Sequence, residues 1–415
     1  MKYFLVIIIA FSVNLIQAQN QQHSIEIVSA GEKTIVHKLQ FESNILKESR
    51  DLYISLPPNY HKNAQSYPVI FVLDGEFLFD VTRSMTTLWA ARNYMPESIV
   101  IGLPNMSNEK RFDLALKVKG ANGNVYYHGG GDPKKYLRFF EKELFPMLAK
   151  KYRLEKHRTL IGLSPTSGTV YQAFFSGSKF FQAFVAMNGG ITSFLAPNKT
   201  IGNELIASLD KHNNAVLYLG AGAQSDPKRE KARLLGQQQF LQRVQEKRQG
   251  STKVVSERHK NESGYGVVIP ALTNAFKTIY PRDEWLLDYW SIINSKNPAL
   301  ALKTYYAQLS SKYDFQIYPL ESGFNTISNL YHAARILLRN KKIAAAKDFI
   351  KQGLVYYPNS DKLYFRLSQA YQQDKQLKEA IRYLKKSIVL SKKYQQEETL
   401  FYTNELQKLM YLQKK

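Results

Sequence analysis

The sequence contains no cysteine. That absence removes disulfide frameworks, thiolate zinc sites, iron–sulfur ligation and a cysteine nucleophile together. Acidic side chains are scarce: 34 Asp and Glu stand against 57 Lys and Arg, a net charge of +23 over 415 residues. Beyond the N-terminal segment no apolar run reaches the ~18 residues that a spanning helix needs, so the chain is not read as an integral membrane protein. No His and carboxylate cluster has a metal-binding spacing, and neither metal nor cofactor is expected. What remains is Ser, His and carboxylate chemistry, or binding. An apolar content of 44% excludes wholesale disorder, and the length suits two or three domains.

The N-terminus reads as an address. Lys2 precedes the apolar run Tyr3 to Val13, and a short segment ending in the small residue Ala18 leads to the polar Gln19-Asn20-Gln21-Gln22. This is the order of a cleavable secretory signal peptide, so residues 1–18 are expected to be removed and the mature chain to be secreted or periplasmic.

Past the signal, Leu52, Ile54 and Leu56 alternate along a strand that stops at Pro57-Pro58. Val69 to Leu73, Ile99 to Ile101, Leu160-Ile161, Phe184 to Met187 and Val216 to Leu219 are instead short continuous apolar runs, separated by enough chain for helices. Such runs predict strands buried on both faces, hence a parallel sheet covered by helices. The spacing of Tyr136, Phe139, Phe140, Leu144 and Leu148 predicts one covering helix over Pro133 to Tyr152. Open α/β sheets bind ligands at their carboxyl edge. The residues that reach this edge are Asp74-Gly75-Glu76, Asn105 with Arg111 and Asp113, Ser164, and Gly220-Ala221-Gly222.

Several of these segments, in order, resemble a known family. Tyr67 to Gly75, Ile101 to Asn105 with Arg111 to Leu114, Tyr136 to Leu144, Arg158 to Gly162, and Ile269-Pro270-Ala271-Leu272 through Tyr280-Pro281 are similar to the esterase family of α/β-hydrolases that includes esterase D and the enterochelin esterases. The resemblance covers roughly residues 40 to 285. It implies an α/β-hydrolase fold, a serine nucleophile, a histidine base, an acidic orienter and an oxyanion hole of backbone N–H groups. The oxyanion region then maps to Gly75, Glu76 and Pro165.

The catalytic positions depart from the family pattern. Its nucleophile segment, Gly-His-Ser-x-Gly-Gly, is here Gly162-Leu163-Ser164-Pro165-Thr166-Ser167. Proline has no N–H to give the oxyanion hole, and the base position falls on Gly264. Among the eight histidines only His259 lies in that neighbourhood, which leaves a rearranged Ser164, His259 and Asp226 as one reading. In the other, Ser164 is a helix N-cap with Pro165 as the first helical residue, and His259 is a solvated loop residue. Arg111 and Asp113 are read either as ligand-orienting groups or as a loop-anchoring ion pair. Tyr126, Tyr127 and His128 with Trp89 either line a cleft or pack a loop, and Gly129-Gly130-Gly131 lacks the Lys-Ser/Thr of a phosphate loop.

The C-terminal part repeats. Leu330, Ala333, Ala334, Leu337, Ala346, Ile350, Gly353 and Pro358 recur 34 residues later as Tyr364, Leu367, Ser368, Tyr371, Ala380, Leu384, Ser387 and Lys392, all but the last keeping the small or large character of the first, the period of tetratricopeptide (TPR) helix pairs. The expected organisation is a hydrolase domain over 19–290, a linking segment over 291–325, two TPR-like repeats over 326–394 and a capping helix over 395–415. Thr304 to Asn325 is expected to dock the array on the domain. Residues 325–415 hold 18 basic and 7 acidic side chains, so the tail is expected to meet an acidic protein or polysaccharide. An exported chain without a recognition motif is not expected to bind nucleic acid. Two functions fit: a degenerate hydrolase that binds a small ester or sugar-like ligand, or an active serine carboxyl-ester hydrolase.

Overall fold

The computed structural model describes residues 22–29, 32–58, 60–105, 107–116, 131–189, 200–247, 250–285, 288–323, 328–394 and 396–414. Residues 1–18, read above as a signal peptide, and Tyr126, Tyr127, His128, Gly129 and Gly130 lie outside these residues.

Among the described residues nine strands form one sheet in the order β1-β2-β3-β5-β4-β6-β7-β8-β9. β1 (Gln22–Ser29), β2 (Glu32–Ser43) and β3 (Glu48–Leu56) are an antiparallel meander, and β3 lies antiparallel to β5 (Ile99–Leu103). From β5 onward the sheet is parallel, through β4 (Tyr67–Leu73), β6 (Leu154–Leu163), β7 (Ala183–Met187), β8 (Val216–Gly222) and β9 (Lys253–His259). Every residue of β4, β5 and β7 is buried, which is why these strands read as unbroken apolar runs.

Alternate side chains of the same strands supply two cores. Val69, Phe71, Ile101 and Leu160 face α3 (Pro133–Phe139), α4 (Phe145–Lys151), α5 (Ser167–Ser176), α6 (Thr200–Ser208) and α7 (Pro227–Lys247). Ile70, Val72, Val100 and Ile161 face α1 (Gly75–Ala90) and α8 (Val268–Ile279). The helix expected over 133–152 is interrupted by a π-helical segment, Phe140–Leu144. Pro146 is the reason: it has no N–H for the i→i−4 ladder, and the widened turn before it absorbs the gap. A short helix, α2 (Asn108–Phe112), follows β5.

The second core does not stop at α8. It runs without a break through α9 (Arg282–Trp285), α10 (Tyr289–Asn294) and α11 (Pro298–Tyr313) into α12 (Leu330–Arg339), α13 (Ile343–Tyr356) and α14 (Asp361–Gln373). α15 (Leu377–Lys393) and α16 (Thr399–Lys414) complete the helical tail. The 34-residue period is visible in the backbone. Lys341 and Lys375, one period apart, turn the two helix pairs with φ of 56° and 59°. Small residues sit where the paired helices meet, and Ser368 Oγ donates to the Ala380 carbonyl at 2.7 Å. No helix among the described residues is long and apolar enough to cross a membrane.

The tail meets the domain at the amino edge of the parallel strands. Tyr357 Oη donates to the Pro319 carbonyl at 2.6 Å, and Lys62 Nζ to Gln396 Oε1 at 2.8 Å. Tyr357 also borders a cavity with Tyr67 and Pro68 at the start of β4. In this seam Asp361 is buried with Oδ2 unpartnered. Burial, then the nearby Glu321 charge, pushes its carboxyl up from the ordinary 3.8 to about 6. A raised folded-state pKa means that the folded form gains stability as pH falls through about 6 toward 4, and loses that contribution above about 6. Asp361→Asn is therefore expected to stabilise the chain most between pH 6.5 and 8 and least near pH 4. Melting both proteins across this range checks it; a pH-independent difference contradicts it.

Candidate functional site

The carboxyl edge is organised around Asp74. Asp74 follows β4 in the left-handed conformation, φ 56°, and its carbonyl accepts from the Phe77 and Leu78 N–H groups as α1 begins. Its carboxylate is fully buried and receives four donors. Arg111 Nε reaches Oδ1 at 2.7 Å and Nη2 reaches Oδ2 at 3.2 Å. Asn105 Nδ2 donates to Oδ1 at 2.7 Å and Thr166 Oγ1 to Oδ2 at 2.7 Å. Burial pushes this carboxyl up, and the hydrogen bonds and charge of Arg111 pull it back.

Each partner ties the network to a different strand end. Arg111 Nη2 also donates to the Leu163 carbonyl at 3.0 Å, and Nη1 to Tyr265 Oη at 2.7 Å. Asn105 also bonds Glu76, through its N–H to Oε2 at 3.1 Å. Thr166 Oγ1 accepts the Leu163 N–H at 2.8 Å. The ends of β4, β5 and β6 and the turn before α8 are thus held by one buried ion pair. Arg111 pairs with Asp74 and not with Asp113, which is half-exposed and lies 4.0 Å from Lys110.

Ser164 occupies the turn between β6 and α5. It opens a 3-10 turn, Ser164–Thr166, with a φ of 58°. A serine in the left-handed region is strained by about 1–3 kcal/mol, and an N-cap is usually extended; here the capping position of the turn is Leu163 and that of α5 is Thr166, so Ser164 is not the N-cap. A nucleophile elbow has this sharp, strained strand-to-helix form. Gly162 is required here, because a Cβ would lie 2.8 Å from the Thr166 carbonyl oxygen. Ser164 is half-buried, and its hydroxyl makes no hydrogen bond to any described residue.

The remaining sequence candidates lie as follows. Pro165 is buried and supplies no N–H. Gly75 packs where α1 begins, and a Cβ on it would meet the Leu103 nitrogen at 2.7 Å. Gly264 stands in the turn before α8 with φ 51°, and no atom lies within 4 Å of where its Cβ would be. Its carbonyl accepts from Asn188 Nδ2. His259 is the last residue of β9, not a loop residue, and its Nε2 lies 3.2 Å from Tyr218 Oη and 3.9 Å from Glu257 Oε2. β7 and β8 separate β9 from β6, so three strand spacings place the two strands about 14 Å apart. Asp226 Oδ1 accepts the Lys228 N–H at 2.8 Å at the start of α7. Trp89 is not at this edge: it packs on Phe276, with the Arg282 guanidinium 4.2 Å from its ring.

The residue that sequence reasoning missed is Thr166. It stood as a broken second glycine of the elbow, whereas its hydroxyl joins the elbow to Asp74. Only the pairing of β4 with β6 brings those two residues together. An open cleft runs beside Gly264 and is lined by Tyr171, Asn188, Gln224 and Arg233. Among the described residues no group of three His, Asp or Glu side chains is placed to hold a metal ion.

Comparison with known proteins agrees with this architecture. An IroE-like serine hydrolase from Shewanella oneidensis superposes with a TM-score of 0.61 at 18% identity, covering 77% of this chain and 99% of its own. An uncharacterised protein from Capnocytophaga ochracea gives a TM-score of 0.55 at 15% identity, covering 91% of this chain and 99% of its own. At these identities the likeness is one of fold. No curated protein matches the chain. The sequence profile of the family described as "Putative esterase" matches residues 43–259, just over half of the chain, and the protein belongs to that family of α/β-hydrolases.

Proposed function

We propose that this chain is an exported esterase-family protein that binds a small ligand in its carboxyl-edge cleft and does not hydrolyse esters. The observation that carries this reading is Gly264. The family's base position has no side chain, and His259, the last residue of β9, has its Nε2 3.2 Å from Tyr218 Oη. A general base must come within ~3 Å of the proton it takes. Pro165 adds a second deficit, since losing one oxyanion donor slows acyl transfer by about 10²–10³. The cleft beside Gly264 is lined by polar side chains, Arg233, Tyr171, Gln224 and Asn188, whose character suits a sugar-like or ester ligand.

A second reading, a serine carboxyl-ester hydrolase using Ser164 with His259 and Asp226, draws support from the strained φ of Ser164. One experiment separates the two. A fluorophosphonate probe is expected to leave Ser164 unlabelled, and p-nitrophenyl acetate and butyrate are expected to hydrolyse at the background rate. Labelling that Ser164→Ala abolishes, together with its loss of turnover, would establish the hydrolase. Pro165→Gly with Gly264→His is expected to create measurable turnover: no atom lies within 4 Å of a Cβ built at Gly264, and histidine is among the residues enriched at a positive φ such as its 51°.

A further inference from the structure

The closing helix, α16, buries one face and exposes an apolar one. It packs on the rest of the tail through the buried Tyr402 and Leu409. On its outward side Leu400 and Phe401 are 71% and 51% exposed, and Tyr411 and Leu412 are 60% and 48% exposed. With about 3.6 residues per turn, Leu400, Asn404, Lys408 and Tyr411 share one stripe, with Phe401 and Leu412 along its margin. The last helix of a stacked array ordinarily turns a polar face outward, which keeps the array in solution. A grouped apolar surface instead marks a site of interaction.

We propose that α16 is a dimerisation surface, on which a second copy of this chain lays its own α16 antiparallel about a two-fold axis near residue 406. This goes beyond the cleft reading and does not depend on it. A two-fold interface must be self-complementary, because each copy offers the same patch. Antiparallel pairing about residue 406 sets Leu400 opposite Leu412 and Phe401 opposite Tyr411, apolar on apolar, with Asn404 opposite Lys408 between them. The charges agree with this register. Lys408 Nζ holds Glu405 Oε1 of its own helix at 2.7 Å, so the centre brings no unpaired charge into the contact. Glu397, exposed in the turn before α16, comes against the exposed Lys414 of the second copy. Antiparallel helix dipoles add to the attraction. A parallel pair would instead set Lys408 on Lys408 and Lys414 on Lys414. The helix is about 24 Å long, so the contact falls short of the ~800 Å² per partner of a standard interface. A reversible dimer of micromolar affinity is the expected result.

Sedimentation velocity on the full chain tests this. The wild type is expected to pass from monomer to dimer between roughly 1 and 200 µM. Leu400→Lys with Leu412→Lys, both on the surface, should weaken the dimer at least about tenfold. Leu235→Lys with Val355→Lys, exposed apolar positions on α7 and α13, is the charge-matched control and should leave it unchanged. The chain has no cysteine, so introduced thiols report the register. Leu400→Cys and Leu412→Cys chains, mixed and oxidised, should link to each other and not to themselves, because two copies of residue 400 would stand about 18 Å apart along the axis. The proposal is overturned if the wild type stays monomeric up to about 200 µM, if the α16 lysine variant dimerises as tightly, or if the control weakens the dimer equally. It is also overturned if Leu400→Cys links only to itself, the mark of a parallel pair.

Discussion

Asp74→Asn is expected to lower the stability of the whole chain by about 3–5 kcal/mol, the usual consequence of removing one partner from a buried ion pair. Asparagine is among the few residues that accept a left-handed backbone, so the φ of 56° at this position does not confound the result. What changes is the charge. The Arg111 guanidinium stays beneath the site, bonded to the Leu163 carbonyl and Tyr265, with no carboxylate to balance it. Removing the second charge as well, Asp74→Asn with Arg111→Met, should restore part of the loss, because it leaves no unpaired buried charge and keeps a residue that accepts the left-handed backbone. Denaturant unfolding measures both variants. A loss below about 1 kcal/mol for Asp74→Asn would mean that water already screens the pair.

Phe349→Ala is expected to be as severe, about 3–5 kcal/mol, because it opens a cavity in a fully buried aromatic site. Its more telling effect concerns where the loss is felt. The three tryptophans, Trp89, Trp285 and Trp290, all precede the tail, and Trp285 is buried in the same core as Phe349. One continuous core makes tail and domain a single cooperative unit. The tryptophan fluorescence transition should therefore shift with the tail mutation by the full amount. If it stays at the wild-type midpoint while helical signal is lost earlier, the tail unfolds by itself and the shared core does not couple them.

The legibility of this chain followed burial. β4, β5 and β7 declared themselves because both faces are covered and every residue is apolar or small. β9 did not, since Lys253-Val254-Val255-Ser256-Glu257-Arg258-His259 lies on the sheet's open edge with only two aliphatic side chains, and His259 was read as a loop residue in consequence. The helix over 133–152 was visible through its apolar spacing, while its π-helical interruption depended on one proline. The 34-residue period in the tail was plain, as was a docking segment over 304–325, but the place of the docking at the amino edge was not, because Tyr357 and Gln396 carry no local pattern. Ser164 was found through the elbow motif. The Asp74, Arg111 and Thr166 network escaped, as it exists only where strands distant in sequence end side by side.

The seam at the amino edge also sets an orientation. Seven-residue β4, with a rise of about 3.3 Å per residue, puts roughly 20 Å of sheet between the tail's attachment and the cleft's mouth. A partner seated on the tail would grip the molecule by its base and leave the mouth facing outward, in the manner of a lamp held by its stem. Occupancy of one surface would then leave the other unobstructed.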